Sequence, residues 1–154
     1  MNIAFRTTWR VIIINKLDQF LLVKMWEVWA IPGGWIDFAE SIPQAIARES
    51  LEELNIEAVY DKILFIQDYV WERKWMDTHF VEFFCVIKNN TDFSNAIEAT
   101  KEASHGHELK DIWRYGIDEF PQEFLPSKLI DVLKEYLWDR DSFQTQYISD
   151  ISKY

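Results

Sequence analysis

The sequence predicts a mixed α/β fold with helices packed on a sheet. Runs rich in β-branched and aromatic residues recur at 7–15, 20–26, 58–71 and 79–88, as strands do. Two segments, 41–54 and 127–138, open on serine and continue with apolar residues at helical spacing. No internal repeat, low-complexity tract or linker rich in Gly, Pro or Ser separates them. Residues 1–154 therefore read as one domain, with 139–154 as a polar tail that frays or docks on a neighbour.

TTWRVIIIN (7–15) is short and β-branched, and the polar KLDQ after it turns the chain. FLLVKMW (20–26) then returns as the second strand of a hairpin. VWAIPGG (28–34) is a short apolar piece ended by Pro32 and two glycines. Ser41 is an N-cap with Gln44 at capping-box spacing, and Pro43 is tolerated because first-turn N–H groups have no helical partner. That helix runs to about Leu54, and Asn55 ends it in the left-handed conformation. AVYDKILFIQDYVW (58–71) and HFVEFFCVIK (79–88) are strands. The second is apolar at nearly every position and belongs in a sheet interior. Residues 89–107 have no sustained period and read as a long loop, a frequent carrier of function. ELKDIWRYG (108–116) is a further strand. SKLIDVLKEYLW (127–138) is an amphipathic helix capped by Ser127, with Leu129, Ile130, Leu133, Tyr136 and Leu137 on one side.

Composition narrows the function. Lys and Arg number 16 against 26 Asp and Glu, a net charge of −10 that repels duplex nucleic acid. A small phosphorylated ligand stays compatible, since one bound metal ion reverses the local field. The single cysteine, Cys85, excludes an internal disulfide and points to a reducing, cytoplasmic setting. No run approaches the ~18 apolar residues of a membrane span, and the start lacks a signal-peptide pattern. Eight Trp, eleven Phe and six Tyr supply surface for a core, a nucleobase or a homodimer contact.

The chemistry concentrates after the paired glycines. On a wheel of about 100° per residue, Glu49, Glu52 and Glu53 share one patch, while Ala47, Leu51 and Leu54 fall opposite and should face the core. Like charges at these spacings cost only a few tenths of a kcal/mol per pair, so an ordinary solvated face is allowed. The PGG stretch ahead of a capped helix changes that balance, because glycine lets backbone approach a ligand closely or take unusual φ values. Clustered carboxylate oxygens suit a hard cation such as Mg²⁺, or Mn²⁺, and a phosphate is the natural partner of such an ion.

These residues resemble the Nudix box. Gly34 is followed by five residues and Glu40, then seven residues and Arg48-Glu49. Ser50 stands at an apolar position, Glu52-Glu53 follow, and Asn55-Ile56 stand where the family has Gly and an apolar residue. All the charged positions match over 23 residues, and two positions depart, Ser50 and Asn55. The resemblance implies an α/β/α sandwich with a mixed sheet and flanking helices. It also implies metal-dependent hydrolysis of a nucleoside diphosphate linked to another group.

On that resemblance, Glu49, Glu52, Glu53 and the Gly33 carbonyl are the expected metal ligands. Glu52 is also a candidate base, and Arg48 is expected to hold a carboxylate through a bidentate pair. Glu40 closes the loop or ties it to the helix. Glu108, ahead of Glu102, is the candidate base outside the box, and His105 and His107 are weaker candidates. Gly34, Trp35, Arg10 and Trp71 are the expected substrate contacts, with Trp35 foremost among Trp26, Trp29, Trp71 and Trp75 for stacking on a base. Pro is absent between Pro43 and Pro121, and the SQPWPFP motif is absent. Both absences shift the resemblance from ADP-ribose and NADH toward nucleoside triphosphates or other small nucleotides. A non-catalytic nucleotide-binding module of the same fold is the alternative. An isomerase or an RNA-decapping enzyme fits less well, the latter because of the acidic surface.

Overall fold

The structure, a computed structural model, describes residues 2–88, 97–98 and 111–151. Its strands are β1 (Ile3–Ile12), β2 (Gln19–Met25), β3 (Val28–Ala30), β4 (Gly33–Trp35), β5 (Tyr60–Trp71), β6 (Asp77–Ile87), β7 (Asp111–Gly116) and β8 (Gln146–Ser149). The helices are α1 (Ile42–Leu54) and α2 (Leu129–Trp138), with a 3₁₀ turn at Ile117–Glu119. One sheet has the order β4-β1-β6-β5-β8, mixing parallel and antiparallel pairs, and the other has the order β3-β2-β7.

Period-two alternation builds the layers. Along β2, Leu21 and Val23 join the core under α1 with Trp9, Val11 and Cys85, while Phe20 and Leu22 join the core under α2 with Ile12, Phe65 and Phe84. The two sheets thus lie between α1 on one side and α2 on the other. This is the expected α/β/α sandwich, and β6 sits between β1 and β5 in the sheet interior as its apolar sequence requires.

Three local expectations are corrected. β1 and β2 start as a hairpin, with Asn15 N–H donating to the Gln19 carbonyl and Leu21 N–H to that of Ile13, but then diverge into different sheets. Ser127 does not cap α2 with its side chain; the N-cap is Lys128, without a side-chain bond, and the Ser127 carbonyl accepts from Ile130 N–H. The buried face of α1 is Ala45, Ile46, Ser50 and Leu54, whereas Ala47 and Leu51 are exposed. Ile46, Ser50 and Leu54 follow an i, i+4, i+8 row, and that row, not Leu51, meets the sheet. Within the tail, β8 pairs in parallel with β5, from Phe65↔Gln146 to Asp68↔Ser149.

Candidate active site

Helix α1 is fixed at both ends. Ser41 N–H donates to Gln44 Oε1 at 3.0 Å, and Gln44 N–H donates back to Ser41 Oγ at 3.4 Å, closing the capping box. At the other end Asn55 adopts φ 53°, ψ 38°, and its N–H reaches the Leu51 carbonyl while Ile56 N–H reaches that of Ser50. With the Ser50 row facing the sheet, Glu49 and Glu53 flank that row and are only partly exposed, whereas Glu52 points outward.

Arg48 gathers the acidic side chains. Its Nε and Nη2 form a fork on Glu40, at 2.8 and 2.9 Å. Nη1 donates to Glu49, and the Asp37 and Glu52 carboxylates stand at 3.4 and 3.6 Å. Glu40 also accepts from Asp37 N–H at 3.2 Å, so this one side chain both closes the 37–40 turn and anchors it to the helix. The Arg48 hydrogen bond holds the Glu40 carboxyl below its usual range. Hydrogen bonds to Glu40 and then Glu49 push the guanidinium pKa upward.

Four carboxylates thus surround one guanidinium, and a hard divalent cation would offset the remaining negative charge. The donor chemistry fits such an ion, because Glu49, Glu52 and Glu53 offer anionic oxygens on one helix. Among the described residues, though, no three His, Cys, Asp or Glu side chains converge as a ligand cluster. Glu49 turns to Arg48, and Glu52 is half exposed.

The two glycines play different parts. A Cβ on Gly33 would lie 2.1 Å from the Trp9 carbonyl oxygen and 2.9 Å from Arg10 Cα, so β4 packs against β1 only with glycine there. A Cβ on Gly34 would meet only ordinary contacts, one of them the Glu49 carboxyl carbon at 3.9 Å. No glycine among the described residues has positive φ, so close approach, not unusual φ, is the requirement. Val11 N–H donates to the Pro32 carbonyl at 2.7 Å, and Gly33 lies opposite Arg10 one residue on. By antiparallel alternation the Gly33 carbonyl turns away from β1.

A cleft of about 540 Å³ lies on the α2 face of the sheet. Arg10 and Trp71 line it together, with Trp26, Tyr69, Phe84 and Lys128 also on its walls. Gly34 and Trp35 do not line it; Trp35 borders a separate open hollow with Phe5, Arg6 and Asp37. The cleft floor holds Glu82, a buried carboxylate whose Oε1 accepts from Arg10 Nε at 2.7 Å and Thr8 Oγ1 at 3.2 Å. Opposite Glu82 in the register is Gln67, also buried. Burial, then the nearby Glu82 charge, pushes the Tyr69 hydroxyl up to about 12.

Sequence reading did not single out Glu82, Gln67 or Tyr69. The available signal was the lone carboxylate inside the apolar run HFVEFFCVIK, since Glu is rarely buried without a partner. Glu102, His105, His107 and Glu108 lie outside the described residues. Cys85 is fully buried, and burial pushes its thiol up to about 12, so it is no nucleophile. No helix among the described residues is long and apolar enough to cross a membrane.

Comparison with known proteins agrees with this architecture. The family model described as the NUDIX domain matches residues 4–134. A Bacillus subtilis (strain 168) protein, named for a proposed 8-oxo-dGTP diphosphatase activity, is 46% identical over 50 residues, which span 31% of this chain and 34% of that protein. The chain thus matches about a third of the length of that curated relative. The crystal structure of a MutT NUDIX hydrolase from Burkholderia pseudomallei superposes with a TM-score of 0.65 at 21% identity, over 84% of this chain and 96% of the other. That of a MutT protein from Bacillus halodurans also gives 0.65, at 17% identity, over 96% and 92%.

Proposed function

This chain belongs to the Nudix family, and from that premise we propose a metal-dependent hydrolase that cleaves the pyrophosphate bond of a nucleoside triphosphate or a related nucleoside diphosphate derivative. The observation that carries the proposal is the Arg48 cluster: four carboxylates gathered around one guanidinium on the helix that follows the paired glycines. The proposed activity of the B. subtilis relative favours a purine nucleoside triphosphate among the substrates.

In this reading Glu49, Glu53 and the Gly33 carbonyl would hold Mg²⁺ or Mn²⁺, with Glu52 as a further ligand or the base. A divalent ion held there would supply Lewis-acid chemistry and charge neutralisation at the phosphate oxygens. The chain's own residues do the positioning. Arg48 ties Glu40 to the helix, so the 37–40 turn keeps a fixed place beside the carboxylates. In this reading a base seated in the cleft would send its phosphates toward Glu49, whose carboxyl carbon lies 3.9 Å from where a Gly34 Cβ would stand. Arg10 keeps its Glu82 bond and lines the cleft, where its Nη2 would meet anionic oxygens of the substrate. Glu52, or Glu108, takes the proton of the attacking water.

The test is product release from a panel of nucleoside triphosphates, dinucleotides and nucleotide sugars with Mg²⁺. Wild type should release a nucleoside monophosphate from at least one of them. Glu53→Gln should be slower by at least about 100-fold, the upper range seen when even an outer partner of a metal ligand is lost. A wild type that binds nucleotides yet cleaves none of them would leave a binding module instead.

A further inference from the structure

We infer that the C-terminal strand sets which base the cleft accepts, with Asp150 acting as a positioning residue for Gln67. The inference rests on the reading that the cleft seats the base. Gln67 Nε2 donates to Asp150 Oδ2 at 3.3 Å. A carboxylate only accepts, so this bond fixes which way the amide faces. The NH₂ end is turned to Asp150 and the carbonyl end is left over. That oxygen, Gln67 Oε1, is buried and without a partner, on a side chain that is 7% exposed and lines the cleft.

Asp150 is itself held. Its N–H donates to the Asp68 carbonyl at 2.9 Å, continuing the β8–β5 pairing, and its carboxylate takes Lys128 from the start of α2. It follows β8 directly and lies beyond residue 134, where the family match ends. The selectivity device is therefore carried by a part of the chain outside the catalytic box and outside that match.

Two acceptor side chains meet in the cleft floor. Gln67 carries a buried carbonyl with no partner, and its neighbour in the register, Glu82, is a carboxylate whose bonds from Arg10 and Thr8 both fall on one oxygen. Such a floor pairs with a ring N–H beside an exocyclic amine, the edge of a guanine-type purine. An adenine-type edge places a ring acceptor against one of these acceptors and leaves it unsatisfied. Aromatic walls from Trp26, Tyr69 and Trp71 accept any base face, so they add affinity without choosing between the two.

The test uses dGMP and dAMP, followed by tryptophan fluorescence without metal, so that it does not depend on hydrolysis. Wild type should bind dGMP at least roughly tenfold tighter than dAMP, the scale of one or two satisfied hydrogen bonds. Asp150→Ala should narrow that ratio to about threefold or less by weakening dGMP alone, since the amide is then free to flip. Gln67→Met, which keeps the length and removes the acceptor, should do the same. Tyr147→Phe removes another anchor of β8, the 2.8 Å bond to Asp68, and should keep the wild-type ratio. Equal affinities in wild type, an undiminished ratio in Asp150→Ala, or the same loss in Tyr147→Phe would each overturn the inference. A failure to hydrolyse nucleotides with the base preference intact would sink the proposed reaction and leave this assignment standing.

Discussion

Ser50→Ala should make the protein more stable. Ser50 is 1% exposed on the sheet-facing row of α1, between Ile46 and Leu54, and its Oγ has no hydrogen-bond partner. A buried hydroxyl without a partner costs about 1–3 kcal/mol. Alanine also gains roughly 0.5 kcal/mol of helix propensity over serine. The lost oxygen leaves only a small void, which removes part of that gain. A net increase of about 2 kcal/mol follows, and for a domain of this size each kcal/mol shifts the melting temperature by about 2–4 °C. Thermal unfolding by circular dichroism should therefore show Tm rising by about 4–8 °C, with urea unfolding giving a higher midpoint at unchanged m-value. A Tm equal to or below wild type would refute the reasoning, since it would mean the hydroxyl finds a partner in the folded protein.

Removing Arg10 should be costly and its cost should be coupled to Glu82. Arg10→Ala leaves a buried carboxylate with Thr8 alone and should destabilise by about 3–5 kcal/mol, and adding Glu82→Gln should recover a large part of it in urea titrations. Gly33→Ala should lose about 1–3 kcal/mol or more, because its Cβ meets main-chain atoms that can move only by displacing β4 from β1, whereas Gly34→Ala should fold normally by the same assay. Tyr147→Phe should lose stability at pH 7, and that loss should shrink on acidification. For Asp68, burial opposes ionisation, but hydrogen bonds from Ser149 and Tyr147 and the nearby His79 outweigh it and lower the pKa. Its stabilisation is present above the unfolded value of about 3.9 and fades as pH falls through the lower folded value. Unfolding of wild type and variant at pH 7 and pH 3 checks this, and a difference that stays constant would count against it.

Local chemistry made the α1 segment legible. The Ser41–Gln44 box, Pro43 and Asn55 are decided by neighbours within four residues, and the structure reproduces them at both helix ends. Strand identity was legible for the same reason, but strand partners were not. The β1–β2 turn looks like a hairpin from its own residues, and only the competing pairings of β1 with β6 and β2 with β7 send the two strands into separate sheets. The inner face of α1 is not legible from polarity, because Leu51 is apolar and Ser50 is not. Tertiary packing placed the smaller, more polar side chain inside, and apolar residues are often exposed singly. Glu82 and Gln67 are 15 residues apart in the chain and meet only through the β5–β6 register, so no local pattern announces them. Asp150 meets Gln67 across 83 positions, a still longer step.

Manganese uptake read by electron paramagnetic resonance, in the presence of a non-hydrolysable nucleoside triphosphate, most directly probes the role given to α1. The free Mn²⁺ signal should fall as wild-type protein is added, and Glu49→Gln and Glu53→Gln should each weaken uptake by at least about tenfold while retaining a folded circular dichroism spectrum. Superimposable titrations for wild type and both variants would mean that these two carboxylates hold no ion, and the proposed chemistry would have to be abandoned.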